Sequence, residues 1–165
     1  MKKIVAVIIS AIVMSLTVAG CGGSSDNTDS QSQVVDNNTQ INLTQVMDDI
    51  NTQFPNSMED ISSTDDLNKY YNISAEDVKS SAARIDKSGI DEVILVEAVD
   101  AEAAARIEEC LKQRYNSKKQ QGASYSPEDL QIIDNCSVQV NGNVVSMIVS
   151  KDYEGMQNIL NDSLK

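Results

Sequence analysis

The sequence lacks two residue types and is poor in aromatic side chains. It contains no histidine and no tryptophan, and its aromatic residues are five Tyr and one Phe. Without an imidazole, Ser-His-Asp triads, Cys-His pairs and most zinc sites are excluded. The motifs of this chain therefore predict no catalytic, cofactor-binding or metal-ligating residue.

Basic residues are scarce relative to acidic ones. The 165 residues include 13 Lys and Arg against 25 Asp and Glu, which gives a formal net charge of -12. Because phosphate contacts require clustered Lys and Arg, this composition argues against a nucleic-acid partner.

Residues 1–20 have the features of a secretory signal peptide. Lys2 and Lys3 provide a basic start, and an apolar run from Ile4 to Val18 follows. The run is too short to span a bilayer comfortably, and small residues follow it, as they do at signal cleavage sites. We expect this segment to be removed from the mature protein.

The end of this segment, Val18-Ala19-Gly20-Cys21, resembles the lipobox of bacterial lipoproteins. The resemblance implies transfer of a diacylglyceryl group to the Cys21 sulfur and cleavage between Gly20 and Cys21. Two acyl chains anchor a protein stably where one is marginal, so the predicted location is the outer face of the cell membrane. The alternatives are an ordinary signal peptide with a chance cysteine and a transmembrane anchor.

Residues 21–41 are predicted to form a lipidated flexible tether. From Gly22 to Gln40 nearly every residue is Gly, Ser, Asp, Asn, Thr or Gln, and only Val34 and Val35 offer apolar surface. Such a segment buries too little to offset the entropy cost of ordering it.

Residues 42–165 are predicted to form a single α+β domain, with a four-stranded, mainly antiparallel sheet packed against helices. Capping residues ahead of apolar positions at helical spacing predict helix starts at Asn42, Thr64, Asp100 and Ser126. The predicted strands are Ser81–Ile85, Glu92–Ala98, Cys136–Val140 and Val144–Val149. A last helix is expected from Tyr153 onward.

A hairpin is predicted at Asn141-Gly142, which is a strong short-range turn signal. A turn at this position places Val138 near Val145 and Cys136 near Met147. These side chains then share one face of the sheet, which we expect to face the core.

Several short motifs follow one another in an order that carries a family resemblance. They are Tyr70–Ile73, Asp91–Glu97, the Lys/Gln-rich end of the long helix, Tyr125–Glu128, Asn141–Asn143 and Val145–Ser150. With the lipobox, this series resembles domain-of-unknown-function family 4358, small lipoproteins of clostridia-like Gram-positive bacteria. The resemblance covers roughly Leu43 to Asn161 and implies an extracytoplasmic lipoprotein with no assigned activity. Val144 departs from the pattern, because an aromatic residue is expected there.

Cys110 and Cys136 are the thiols that remain after lipidation. In an oxidising compartment they can form a disulfide. The other interpretation is two small apolar core residues, because Cys110 lies beside the helix stripe at Leu111 and Cys136 lies on the inward strand face. With no histidine or CxxC motif to lower a thiol pKa, neither is predicted to be a nucleophile.

Carboxylates occur in adjacent pairs, at Asp48-Asp49, Glu59-Asp60, Asp65-Asp66, Glu76-Asp77 and Glu128-Asp129. Paired carboxylates can bind calcium or perform acid–base catalysis, but adjacent helix residues point about 100° apart and do not converge. The segment Asp86–Asp91 echoes a calcium loop without its full ligand series. We interpret the pairs as solvated surface, with a metal site or carboxylate catalysis as the alternatives.

Two further features have both a structural and a binding interpretation. The tyrosines are expected to cover core edges, or to anchor a peptide or glycan if several share an exposed face; they are Tyr70, Tyr71, Tyr115, Tyr125 and Tyr153. Lys118 and Lys119, with Arg114 nearby, form a compact basic patch, which we interpret as a helix C-terminus rather than an anion site.

The sequence thus predicts a membrane-anchored, non-catalytic binding or scaffolding module at the cell envelope. Its expected partners are the membrane, through the lipid on Cys21, and an envelope protein or wall polymer, with no cofactor. The alternative is a carboxylate-dependent hydrolase of the cell wall or surface. A deep pocket with converging carboxylates would favour the hydrolase, and a flat apolar patch would favour the binding module.

Overall fold

Helices and strands alternate irregularly in the computed structural model, which describes residues 41–121 and 126–165. The helices are α1 (Leu43–Gln53), α2 (Thr64–Tyr71), α3 (Ala101–Gln120), α4 (Pro127–Asn135) and α5 (Tyr153–Ser163). The strands are β1 (Glu59–Asp60), β2 (Val78–Ile85), β3 (Glu92–Ala98), β4 (Ser137–Asn141) and β5 (Val144–Val149). A 3₁₀ turn over Ala75–Asp77 leads into β2. The predicted signal peptide, and the predicted tether apart from Ile41, lie outside the described residues.

The strands form one antiparallel sheet in the order β1-β2-β3-β5-β4. The predicted α+β class is therefore confirmed, and the sheet has one strand more than expected. That strand, β1, contributes only Glu59 and Asp60, which pair with Ile85 and Arg84. Two acidic residues carry no alternating apolar pattern, so a strand signal is missing at this position.

β3 runs through the centre of the sheet, and all seven of its residues are buried. Ile94 and Val96 belong to the core on the face covered by α2, α3 and α4. Val93 and Leu95 belong to a second core on the face covered by α1 and α5. Because successive strand residues point to opposite faces, a central strand between two helix layers needs apolar residues at nearly every position.

Side-chain caps fix where the helices begin. Asn42 and Asp100 each accept a hydrogen bond from a backbone N–H three residues later, at 3.1 and 2.7 Å, as predicted. Ser126 and Asp129 form a reciprocal capping box at the start of α4. Among the described residues, none of these helices combines the length and apolar character needed to cross a membrane.

The cap of α2 lies one residue earlier than predicted. Ser63 Oγ accepts a hydrogen bond from the Asp66 N–H at 3.1 Å, whereas Thr64 is already the first helical residue. The end of this helix is as expected, because Asn72 adopts the left-handed conformation with φ 59°. Asparagine tolerates this conformation better than most residues.

The β4–β5 hairpin turns at Gly142 and Asn143, not at Asn141-Gly142. Asn141 is the last residue of β4 and lies opposite Val144. Gly142 has φ +59°, and Asn143 is not among the residues with positive φ. This combination fits a type II′ turn, which takes Gly at its first central position, whereas an Asn-Gly type I′ turn needs positive φ at both positions.

The changed turn shifts the register of the hairpin. Val138 lies opposite Met147 and Val140 lies opposite Val145, so the predicted pairings of Val138 with Val145 and of Cys136 with Met147 are wrong. The shift is an even number of residues, and each side chain therefore keeps its predicted face. Val145, Met147 and Cys136 are in the core, whereas Val140, near the hairpin tip, is 45% exposed.

Candidate functional site

Glu92 is a buried carboxylate whose charge is balanced by two basic side chains of α3. It is 0% exposed at the start of β3. Arg114 donates two hydrogen bonds to it, each 3.0 Å long. Lys118 Nζ lies 2.9 Å from Glu92 Oε2 and donates to the Ile90 carbonyl at 2.8 Å. These three side chains, called the Glu92 cluster, tie the β2–β3 loop and β3 to the last turns of α3.

The Glu92 cluster is ionised and enclosed. Burial by itself raises the pKa of Glu92, but the bonds from Arg114 and the charge of Lys118 outweigh it and hold the pKa below its ordinary value. Arg114 also lies over the Tyr71 ring, 5.9 Å from its centroid. Burial, followed by the Glu92 charge, raises the pKa of the Tyr71 hydroxyl, so that this group stays protonated. The cluster therefore orders the interior and offers a ligand little access.

Lys118 and Lys119 lie in the last turn of α3, as the helix C-terminus interpretation predicted, but the three basic side chains do not point to one exposed surface. Lys118 is only 4% exposed and, like Arg114, turns toward Glu92. Lys119 instead forms a separate ion pair with Asp134 of α4, at 2.7 Å. The three cations thus serve contacts inside the domain.

A signal for the Glu92 cluster does exist in the sequence. Ile107 and Leu111 mark the buried stripe of α3, and the same spacing of three and four residues reaches Arg114 and Lys118. Two cations at core positions require a buried anion. Glu92, which begins a strand that is otherwise apolar up to Val96, is the matching partner.

An open groove lies between the end of α4 and the beginning of α5, and we call it the α4–α5 groove. Its volume is about 520 Å³, a size common among small-ligand sites. Phe54, from the end of α1, and Ile132 and Asn135, from α4, form one part of its wall. The segment Ser150–Gly155, which leads from β5 into α5, forms the rest. Elements of both helix layers therefore meet in this groove.

Two aromatic side chains of the groove are held in place by their neighbours. Tyr153 Oη lies 3.0 Å from Ser137 Oγ and accepts a hydrogen bond from Gln139 at 3.4 Å. These contacts join the start of α5 to β4. Gly155 lies against Phe54 so closely that a Cβ at this position would collide with the ring. The missing side chain at Gly155 is what allows Phe54 to pack against α5.

Basic, acidic and amide side chains surround this aromatic surface. Lys151 and Glu154 are exposed, and Asp152 is partly buried. Asn135 adds an exposed amide on the opposite wall. Buried Ser150 accepts a hydrogen bond from the Asp152 N–H at 3.3 Å, which helps to fix the turn into α5. The groove can therefore pair with hydroxyl, amide and amino groups of a ligand.

A second, mainly polar groove of about 330 Å³ lies between α1 and β2. Thr44, Asp60, Ser62 and Arg84 are among its lining residues. Arg84 Nη2 donates to the Met58 carbonyl at 2.6 Å, and its Nε is buried without a hydrogen-bond partner among the described residues. The described lining of this second groove offers hydroxyl and carboxylate groups and includes no aromatic residue.

A third groove, of about 360 Å³, lies between the 3₁₀ turn and α3. Arg106 donates to Asp77 from Nε at 3.1 Å and from Nη2 at 2.6 Å. These hydrogen bonds hold the pKa of Asp77 below its usual value of 3.8. Cys110 also lines this groove.

Cys110 and Cys136 are free thiols in the structure. Cys110 Sγ lies 3.5 Å from the Asn72 carbonyl oxygen, and Cys136 Sγ lies 3.1 Å from that of Ile132. Burial raises the pKa of both thiols above the ordinary 9.0, so both stay protonated at neutral pH. Cys136 is a core residue, 4% exposed. Cys21, the predicted lipidation site, lies outside the described residues.

The acidic pairs do not assemble into a metal site in the part of the chain that the structure describes. Within residues 41–121 and 126–165, no group of three or more Cys, Asp and Glu side chains is arranged to hold a metal ion. In the segment that echoes a calcium loop, Asp86 accepts hydrogen bonds from the Ser88 N–H and Oγ, both at 2.8 Å. Its carboxylate thus fixes a turn.

The tyrosines occupy different parts of the fold. Tyr71 is buried beside the Glu92 cluster. Tyr115 Oη lies 2.6 and 2.7 Å from two backbone carbonyl oxygens where α4 leads into β4. Tyr153 lines the α4–α5 groove, and Tyr125 lies outside the described residues. The expectation that tyrosines cover core edges is met at Tyr115, and Tyr153 borders the α4–α5 groove.

The antiparallel sheet with helices on both faces defines a small α+β domain with an open groove between α4 and α5. The family described as "Domain of unknown function (DUF4358)" matches residues 51–150. The chain belongs to this family, as the order of its motifs indicated. The match runs from the end of α1 to the end of β5 and includes the whole sheet. No curated protein and no solved structure matches the chain.

Proposed function

We propose that the chain is an extracytoplasmic lipoprotein, anchored through a lipid on Cys21, whose α+β domain is a non-catalytic binding module for a polysaccharide of the cell wall. The anchor is supported by the signal-like residues 1–20 and by the lipobox that ends at Cys21. A protein with a net charge of -12 is repelled by anionic lipid headgroups. The lipid, rather than surface charge, then holds the protein at the membrane.

The α4–α5 groove is the observation that carries the binding role. Phe54 and Tyr153 provide aromatic surface, and Asn135 and Glu154 provide an amide and a carboxylate beside it. A wall glycan presents apolar sugar faces together with hydroxyl, acetamido and amino groups. Aromatic surface suits the sugar faces, and amide and carboxylate groups suit the polar substituents. Because the groove is open along the surface, a long polymer can lie in it without threading.

The carboxylates of the groove favour binding over hydrolysis. A glycoside hydrolase needs two carboxyl groups that face each other across the scissile bond. Asp152 is the residue preceding α5 and Glu154 is its second residue. Residues two positions apart on a helix do not face each other. The thiols of Cys110 and Cys136, whose pKa values burial raises, do not supply an activated nucleophile either.

The anchor is tested by Cys21→Ala in the full chain, expressed in a Gram-positive host. We expect the wild type in the membrane fraction, with mass spectrometry showing a lipid on the N-terminal Cys21. The variant should be released or accumulate as uncleaved precursor. Cys110→Ala is the matched control and should remain anchored. Lipidation that is unchanged in Cys21→Ala would overturn the anchor.

The groove is tested by cosedimentation of the purified full chain with protein-free cell walls. Tyr153→Ala should weaken binding about tenfold, equivalent to about 1.4 kcal/mol. Tyr70→Ala, which changes a partly buried tyrosine outside the groove, should bind like the wild type. Glu154→Lys, an exposed change, should also weaken binding, with Glu128→Lys in the first turn of α4 as its control. Thermal melts confirm that the variants are folded.

Two results would contradict the wall-binding role. One is a wild-type protein that does not sediment with walls, or that sediments equally well when the groove is altered. The other is release of soluble wall fragments that stops in Asp152→Asn or Glu154→Gln, which would identify a hydrolase.

A further inference from the structure

β4 is an edge strand of the sheet and carries no charged side chain. Its sequence is Ser-Val-Gln-Val-Asn over Ser137–Asn141, and Gln139, Val140 and Asn141 are exposed. Val140, at 45%, is one of two large apolar side chains described as exposed; the other is Val99, at 48%. Edge strands commonly carry a charge, a proline or a bulge that prevents pairing with another chain. β4 has no Lys, Pro or described bulge.

The opposite edge of the sheet is protected in these ways. β1 covers the end of β2 with a two-residue strand. The register of β2 shifts between Val78 and Ser80, and the exposed Lys79 lies at that irregularity. The two edges therefore differ: β4 lacks these protections, and none of the described residues pairs with its outer side.

The hairpin geometry shows which backbone groups of β4 point outward. The Ala98 N–H donates to the Asn143 carbonyl at 2.8 Å, so Asn143 faces β3. The N–H and C=O groups of successive strand residues point to opposite sides, so those of Val144 point toward β4. There Val144 lies opposite Asn141, and this pair closes the two-residue turn. By the same alternation, the N–H and C=O groups of Val138 and Val140 point away from β5.

We propose that β4 pairs with β4 of a second copy of this chain, antiparallel and centred on Gln139. In this register Val138 lies opposite Val140 of the second copy, and the reverse pair completes a two-fold arrangement. Each pair exchanges two backbone hydrogen bonds, which uses the four outward groups of each strand. The two five-stranded sheets then form one continuous sheet.

The symmetry of the strand favours a second copy as the occupant, because Val138 and Val140 flank Gln139 and each can lie opposite the other. Exposed Val140 gains the partner's Val138 as a neighbour on the same face, which removes apolar surface from water. Two molecules that each carry a charge of -12 repel each other over most of their surface. The uncharged β4 edge is a place where two copies can meet without opposing carboxylates on the paired strands.

Cysteine crosslinking in the full chain tests this register. Gln139 faces itself across the two-fold axis in a non-hydrogen-bonded pair, where Cα atoms are about 4.5 Å apart and a disulfide is allowed. Gln139→Cys should give a covalent dimer on mild oxidation, seen on a non-reducing gel. Val99→Cys, which is also at an exposed position but lies outside β4, should remain monomeric. Failure of Gln139→Cys to crosslink above the Val99→Cys background would overturn the proposal.

A second variant tests the non-covalent dimer. Val140→Lys places a charge on the edge and should reduce Gln139→Cys crosslinking at least about tenfold, the loss expected from about 1.4 kcal/mol. Val99→Lys is the matched control and should leave crosslinking unchanged. Equal crosslinking in both would contradict the β4 pairing. A protein that is monomeric by light scattering at all concentrations would also contradict the β4 pairing. That result is expected if residues 21–41 or a strand of another protein occupy this edge.

Discussion

Lys118 Nζ and Glu92 Oε2 lie 2.9 Å apart, and both side chains are almost completely buried. Breaking a buried ion pair leaves an uncompensated charge and costs about 3–5 kcal/mol. We therefore expect Lys118→Met to lower the free energy of unfolding by about 3 kcal/mol, because Arg114 still compensates Glu92 in part. Chemical denaturation of the full chain measures this loss.

Lys112→Met is the control for this substitution, since it makes the same change on the same helix. Lys112 forms an exposed ion pair with Glu108 at 2.6 Å, four residues away. Such pairs contribute less than about 1 kcal/mol. Equal losses for the two variants would show that Lys118 is not energetically part of the Glu92 cluster.

The Asp77–Arg106 pair predicts a pH dependence of stability. Arg106 holds the pKa of folded Asp77 below its ordinary value of 3.8. A carboxylate with a depressed pKa stabilises the fold above the unfolded pKa, and this contribution is lost as the pH falls through the folded pKa. The difference in unfolding free energy between wild type and Asp77→Asn should therefore be full at pH 7 and shrink below about pH 3.8. A difference that stays constant down to pH 2.5 would contradict the pairing.

Gly155→Ala should destabilise the protein although alanine is the better helix former. The added Cβ collides with the Phe54 ring, and overpacking of this kind costs about 1–3 kcal/mol. Helix propensity offers at most about 1 kcal/mol in return. Phe54→Leu should reduce the penalty in a double-mutant cycle measured by denaturation. If the two effects are additive, the Phe54–Gly155 contact is not the cause.

The turn assignment predicts different sensitivities at neighbouring positions of the hairpin. Gly142→Ala should cost about 1 kcal/mol or more, because Gly142 has φ +59° and a side chain there is strained. Asn141→Thr should be tolerated, because Asn141 is a strand residue opposite Val144. The reverse order of the two melting temperatures would favour the Asn141-Gly142 turn instead.

The elements that the sequence predicted well are those specified by local chemistry. The cap at Asp100 and the apolar spacing through Leu111 determine α3 without help from distant residues. The apolar run Val93–Val96 likewise identifies a central strand. In both cases the pattern has the length and period that distinguish a helix from a strand.

The features that the sequence did not predict depend on residues far apart in the chain or on fine turn geometry. Lys118 was predicted only as part of a helix C-terminus; lysine is seldom buried, and it is the distant Glu92 that makes its burial favourable. The hairpin register depends on whether Gly142 is the first or the second residue of the turn. Local sequence allows both, because Gly suits the first position of a type II′ turn and Asn-Gly suits a type I′ turn. The α4–α5 groove is formed by Phe54, Asn135 and Tyr153, which no single motif joins.

The strand order predicts which contacts form late in folding. β2 and β3 make one hairpin, β4 and β5 make another, and each can close over a short stretch of chain. The two meet along one seam, where Glu92 of β3 pairs with Val149 of β5. Pairing β3 with β5 closes a loop that runs from Ala98 to Val144. Closure of a long loop is slow, because its entropy cost comes before the contacts that offset it. Seam substitutions such as Ile94→Val should therefore slow refolding in proportion to how far this seam has formed in the transition state.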